Sequence, residues 1–157
     1  MIRRQNLTKE QALQKARHYC AYQDRCHSEV KEKLYSLGLW KKDVEEALSQ
    51  LIEENYLNEE RFAIQFAGGH FRNKNWGRVK IGYELKQRQV GEYCIKKALA
   101  SIDEDAYQQT LEKLATDKWE ALRGEENEFV RTRKLQEYLW RKGYEPDLAG
   151  KVIKRLH

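Results

Sequence analysis

Apolar residues recur three and four positions apart along almost the whole chain, the spacing that lines one face of an α-helix. Residues 57 to 85 show this most clearly. Asn58 is placed to accept hydrogen bonds from the first free N–H groups of a helix, and Glu59 and Glu60 put negative charge at its positive end. Phe62, Ala63, Phe66, Ala67 and His70 follow on one face. Gly68 and Gly69 weaken the helix beyond that point, Asn73 to Gly77 predict its stop, and the pattern resumes at Val79, Ile81 and Leu85.

The flanking regions read in the same way. Thr8 and Gln11 have capping-box spacing, and Ala12, Leu13, Ala16, Tyr19 and Cys20 continue a helix that ends near Asp24. Ser28 and Glu29 open a second helix with Val30, Leu34 and Leu37, and Gly38 suits the left-handed turn that would stop it. A third, after Trp40, carries Val44, Ala47, Leu48 and Leu51 and ends near Asn55. Beyond the centre, Ala106, Thr110, Leu111, Leu114 and Ala115 lead towards Trp119 and Leu122. Phe129, Leu135, Tyr138 and Leu139 mark the next helix, and Pro146 fits the first turn of the last.

These segments repeat. When Leu34, Leu85 and Leu139 are aligned, Val30, Ile81 and Leu135 stand four residues before them, and Val44, Ile95 and Ala149 ten after. Ala47, Ala98 and Val152 follow at thirteen, Leu48, Leu99 and Ile153 at fourteen, and Leu51, Ile102 and Leu156 at seventeen. The anchors lie 51 and 54 residues apart, a length suited to three short helices. The expected fold is therefore all-α: nine helices in three tandem three-helix, helix-turn-helix-like repeats, residues 1–55, 56–102 and 103–157. An elongated, curved array is expected, although the pattern does not encode how the units are oriented. Gly38 and Gly143 share one turn position, and Gln89 replaces glycine in the middle copy, so either a non-glycine residue takes the left-handed conformation or that turn differs.

Charge adds a second pattern. The net charge is +5, but residues 43–60 hold seven acids and no Lys or Arg, whereas residues 61–97 hold nine bases and two acids. Residues 98–128 return to −6 and residues 129–157 to +5. A basic surface a few helical turns long attracts anionic partners and can follow a phosphate backbone. Arg72, Lys74, Arg78, Lys80, Lys86, Arg88, Lys96 and Lys97 are the candidate partner- or DNA-binding residues. The competing reading is a solvated face paired with the acidic segment before it. Trp76 in the basic break has the ring to stack on a base, but its place at a helix junction favours a core plug, and Trp40, Trp119 and Trp140 read as packing residues.

Chemistry beyond this is sparse. No phosphate-binding glycine loop, nucleophile elbow or HExxH is present, and the acid pairs fall at helix boundaries where capping explains them, so no enzymatic activity and no cofactor are expected. Cys20, Cys26 and Cys94 are scattered and odd in number, which fits a reducing compartment and packing roles. His18, Cys20, Cys26 and His27 lack the paired spacing of a metal site. No apolar run approaches the roughly 18 residues that cross a bilayer, and Met1 to Asn6 lack the apolar stretch of a signal peptide. A cytoplasmic monomer is expected.

Tyr56-Leu57-Asn58-Glu59-Glu60-Arg61-Phe62-Ala63, the aromatic-basic helix after it, and Gly77-Arg78-Val79-Lys80-Ile81-Gly82-Tyr83-Glu84-Leu85 resemble the RecX regulatory proteins of bacteria. Ser28 to Leu39 resembles that family's first-unit helix, and Leu135 to Leu139 with Arg141-Lys142-Gly143-Tyr144 its closing one. Asn58 stands where an aspartate is common, which keeps the cap, and Gln89 where a glycine is usual. The resemblance implies tandem three-helix repeats and a non-enzymatic modulator of RecA that lies along the RecA–single-stranded DNA filament and typically opposes its growth or activity, in DNA repair and the SOS response. It supplies no motif residues for a site. Two alternatives are a direct nucleic-acid-binding helical module and a scaffold that binds protein only; salt-sensitive DNA binding separates them.

Overall fold

The computed structural model describes residues 7–157; Met1 to Asn6, read above for a signal peptide, lie outside them. Nine helices are described: α1 Lys9–Tyr22, α2 His27–Ser36, α3 Lys41–Glu53, α4 Glu59–Lys74, α5 Arg78–Gln87, α6 Glu92–Ala100, α7 Glu104–Ala121, α8 Glu128–Lys142 and α9 Pro146–Arg155. No strand is present among the described residues, so the all-α expectation holds. None of these helices is long and apolar enough to cross a membrane.

Local signals in the sequence fix most helix starts. Thr8 and Gln11 form a complete capping box, Asn58 Oδ1 accepts from the Arg61 N–H at 2.9 Å, and Asp103 accepts from the Ala106 N–H at 2.9 Å. Pro146 opens α9 in the first turn. Ser28 departs from expectation: α2 starts at His27 behind Cys26, which makes no side-chain cap. The Ser28 hydroxyl instead donates to the Arg88 carbonyl of the next unit at 3.2 Å.

The turn that closes the second helix is the same in all three units. Gly38, Gln89 and Gly143 have φ of 97°, 63° and 96°, so Gln89 takes the left-handed conformation that glycine takes elsewhere. From the residue after each of these, the N–H groups of Leu39, Val90 and Tyr144 donate back to the carbonyls of Leu34, Leu85 and Leu139 at 3.4, 3.1 and 3.1 Å. All three side chains are buried. This is the Schellman closure, with its apolar residue placed beneath the turn.

Every helix pair that packs extensively lies within one unit: α1 to α3, α4 to α6, or α7 to α9. The first unit has its own core, which Leu57 joins; the second and third share another, into which Cys26 inserts from the first. The units meet through turns. The Gly77 N–H donates to the Lys142 carbonyl at 2.7 Å, and the Val79 N–H to the Gly143 carbonyl at 2.9 Å. Thus the turn between the first two helices of the middle unit rests on the turn between the last two of the third. The Ser28 to Arg88 bond gives the first and middle units the same relation. The Arg61 guanidinium adds a 2.7 Å bond to Asp24 there.

Helix phase accounts for the positions read wrongly as core. At about 100° per residue, Phe129 lies roughly 120° round the helix from Leu135 and almost in line with Trp140; Phe129 and Trp140 are exposed while Leu135 and Leu139 are buried. Val79 is likewise turned away from Ile81 and is exposed. Trp40, at the start of α3, is largely exposed, and of the four tryptophans only Trp119 is buried. Conversely, Tyr107 and Phe71 are buried although the pattern marked Ala106 and His70. Tyr107 is four residues before Leu111, on the α7 stripe that continues through Ala115 to Trp119.

Candidate partner-binding surface

The eight basic residues of the middle unit divide into structural and available groups. Arg78 is structural. At the start of α5 its guanidinium pairs with Glu145 at 2.9 Å and with Glu104, and stands 3.8 Å from the centre of the Tyr107 ring. Its backbone N–H donates to the Tyr107 hydroxyl at 2.9 Å, and that hydroxyl donates to Glu145. Burial, reinforced by the Glu145 bond, raises the Tyr107 pKa well above that of an ordinary phenol. Arg88 is also committed. It bonds the Glu84 carbonyl at 3.0 Å and carboxylate at 3.1 Å, and lies 4.7 Å from the Phe66 ring centre.

Of the others, Arg72, Lys74, Lys86, Lys96 and Lys97 are exposed, and Lys80 is half-buried. Lys74 and Lys80 stand 5.2 and 4.7 Å from the Trp76 ring centre, and the Arg72 guanidinium lies over Gly68. Trp76 is half-buried and stacked on His70 at 4.5 Å, and His70 sits 4.0 Å from Phe66. A row of rings therefore runs along α4, flanked by Arg88 at one end and two lysines at the other. With His70 against its indole, Trp76 is chiefly the predicted plug.

Lys86 and Lys96 come together at the rim of a hollow of about 300 Å³ between α5 and α6, which Gly82, Tyr83, Ile95 and Leu99 also line. Both are exposed, and neither forms an ion pair among the described residues. Lys97 is adjacent on α6, 5.6 Å from the Tyr93 ring centre. The sequence reading thus grouped the exposed lysines with the committed Arg78 and Arg88, and missed the Tyr107–Glu145 support beneath Arg78 and the apolar hollow between the lysines. The signals were present in the α7 periodicity and in a glycine within α5.

Among the described residues no three His, Cys, Asp or Glu side chains converge as metal ligands. Cys20 and Cys26 are buried, and the Cys26 thiol lies 3.1 Å from both Ser28 and Glu29. Burial raises the pKa of all three thiols, which leaves them mainly protonated near neutrality.

Two family models match the chain: "RecX, second three-helix domain" over residues 58–99 and "RecX, third three-helix domain" over residues 104–153. The regulatory protein RecX of Clostridium perfringens (strain 13 / Type A) is 31% identical over 129 residues, covering 82% of this chain and 60% of that protein. The regulatory protein RecX of Thermotoga petrophila is 27% identical over 158 residues, covering 98% and 89% respectively. The chain thus spans about 60% of the length of several relatives that it matches. The crystal structure of RecX from Lactobacillus salivarius has the same fold, with a TM-score of 0.84, 21% identity and coverage of 94% and 96%.

Proposed function

This chain belongs to the RecX family of regulatory proteins, and on that premise we propose that it binds the RecA recombinase and its filament on single-stranded DNA. Its effect there is to restrain recombinase activity in DNA repair and the SOS response, in the bacterial cytoplasm, without catalysis of its own. The observation that carries the reading is the family match across the second and third three-helix domains. The exposed cations of the middle unit support it: Lys74, Lys86, Lys96 and Lys97 point to solvent with no ion pair among the described residues. A serial array of units suits contact with adjacent subunits of a filament, where several weak contacts give avidity.

Direct nucleic-acid binding is the second reading, favoured only by the lysines around Trp76. Their arrangement offers phosphate contacts and no base readout. The single-stranded-DNA-dependent ATPase of the cognate RecA, titrated with the chain well below one copy per RecA, tests the first reading. A substoichiometric fall in rate is expected. An unchanged rate at equimolar, folded protein would overturn it and promote the second.

A further inference from the structure

We propose that the hollow between α5 and α6 is a docking site for an acidic polypeptide segment bearing an apolar anchor. The three units give an internal comparison, because the same positions around the second and third helices carry different side chains. Ile95 is only half-buried, whereas Val44 and Ala149, which match it in the other units, are fully buried; Leu99 is half-buried as its first-unit match Leu48 is, while Ile153 of the third unit is buried. The middle unit leaves its α5–α6 seam open.

Gly82 contributes to that opening. A Cβ built on it would lie 3.5 Å from Leu99 Cδ1 and 3.8 Å from Ile95 Cγ2, ordinary contacts, and its φ is not in the left-handed region. The backbone there does not require glycine, and glycine inside a helix weakens it relative to alanine. The first and third units carry Lys31 and Gln136 at this position. At the next position they carry Glu32 and Glu137, while the middle unit has Tyr83, exposed at the edge of the hollow. At the Lys96 position the first unit has Glu45. The middle unit has thus lost a side chain over the floor, replaced an acid with an aromatic ring, and gained a base.

The rim fixes the sign of the partner. Lys86 and Lys96 have no ion pair among the described residues, while Arg78 at the far end is held by Glu104 and Glu145. Glu92 is the one acid lining the hollow, so the uncommitted charge there is positive. A hollow of about 300 Å³ is at the lower end of ligand-pocket size and suits one or two large apolar side chains, not a folded domain. The occupant that matches sets Leu, Ile or Phe against Leu99 and Ile95, with flanking carboxylates near Lys86 and Lys96. A phosphate backbone would meet the lysines but leave the aliphatic floor unsatisfied. The segment is recognised by this chemistry whether or not a recombinase carries it.

Fluorescence anisotropy of the full chain with a fluorescein-labelled peptide, Leu-Phe flanked on each side by aspartate and glutamate, tests the site without RecA. A peptide with lysines in place of the acids is the comparison. Saturable binding of the acidic peptide alone is expected. It should weaken about tenfold or more in Gly82→Leu, which fills the hollow, and severalfold in Lys86→Glu with Lys96→Glu, but stay unchanged in Lys151→Glu on α9. If Gly82→Leu does not fold by circular dichroism, the lysine pair decides. Equal binding of both peptides, no binding, wild-type affinity in the filled or charge-reversed variants, or displacement of the peptide by oligothymidylate would each overturn the assignment.

Discussion

Gly77 and Gly143 meet backbone to backbone at the junction of the middle and third units. A Cβ on Gly77 would fall 2.3 Å from the Gly143 carbonyl oxygen, and one on Gly143 would fall 2.2 Å from Lys80 Cβ. Two turns from different units can share hydrogen bonds here only because neither glycine has a side chain.

Gly77→Ala is therefore expected to lower stability by about 2 kcal/mol or more, the scale of overpacking a closed site. Gly143→Ala should lose at least as much, since its φ of 96° adds strain. Gly124→Ala, with nothing within 4 Å of its added Cβ, is the neutral control. Urea denaturation followed by circular dichroism reads all three.

Tyr107 joins the same junction through its hydroxyl. Tyr107→Phe leaves the Arg78 N–H without its acceptor and Glu145 Oε1 without the hydroxyl donor, while Glu145 Oε2 keeps the Arg78 guanidinium, at about 1–3 kcal/mol. Linkage gives the sign of its pH dependence. The folded-state pKa is raised above the ordinary 10.0, so the unfolded chain loses this proton first, and stability falls as pH rises above about 10. Tyr144, raised in the same direction by burial, adds to that slope. Stability measured from pH 9 to 11 should fall less steeply in Tyr107→Phe than in the parent.

Arg78 and the exposed lysines should separate under mutation. Arg78→Ala removes both carboxylate pairs while keeping the backbone N–H bond to Tyr107, and is expected to destabilise the protein by about 2–4 kcal/mol. Lys74→Ala, Lys86→Ala, Lys96→Ala and Lys97→Ala should stay within about 0.5 kcal/mol of the parent in thermal or urea unfolding. Any loss of partner binding in these four would then report the surface, not the fold.

Thiol labelling should follow burial. Cys94 is part-exposed beside Glu59, whereas Cys20 and Cys26 are buried. Iodoacetamide at neutral pH is expected to modify Cys94 first, and slowly because its pKa is raised, with Cys20 and Cys26 reacting only on unfolding. Peptide mass spectrometry of partly labelled protein gives the order.

Periodicity and capping made the repeat legible: Leu34, Leu85 and Leu139 are all fully buried, and Thr8, Asn58 and Asp103 cap their helices. The Gln89 turn was legible as an alternative, and its φ of 63° decides it. Junctions between units were not. The contacts of Gly77 and Ser28 are made by backbone and one hydroxyl, and neither has a periodic signature. Counting charges placed Arg78 and Arg88 with the lysines, because a count does not reveal which cations are already paired. The hollow was hidden for the opposite reason: Gly82, Ile95 and Leu99 each fit the helical pattern, and only their packing shows the open seam.

Co-sedimentation with RecA filaments, preassembled on single-stranded DNA with a slowly hydrolysed ATP analogue, tests the regulatory claim most directly. Bare single-stranded DNA at the same salt is the comparison. The predicted result is saturable retention of the chain on filaments, reduced by Lys86→Glu with Lys96→Glu, at a salt concentration where bare DNA retains little. Equal retention on bare DNA, or none on filaments with folded protein, would contradict it.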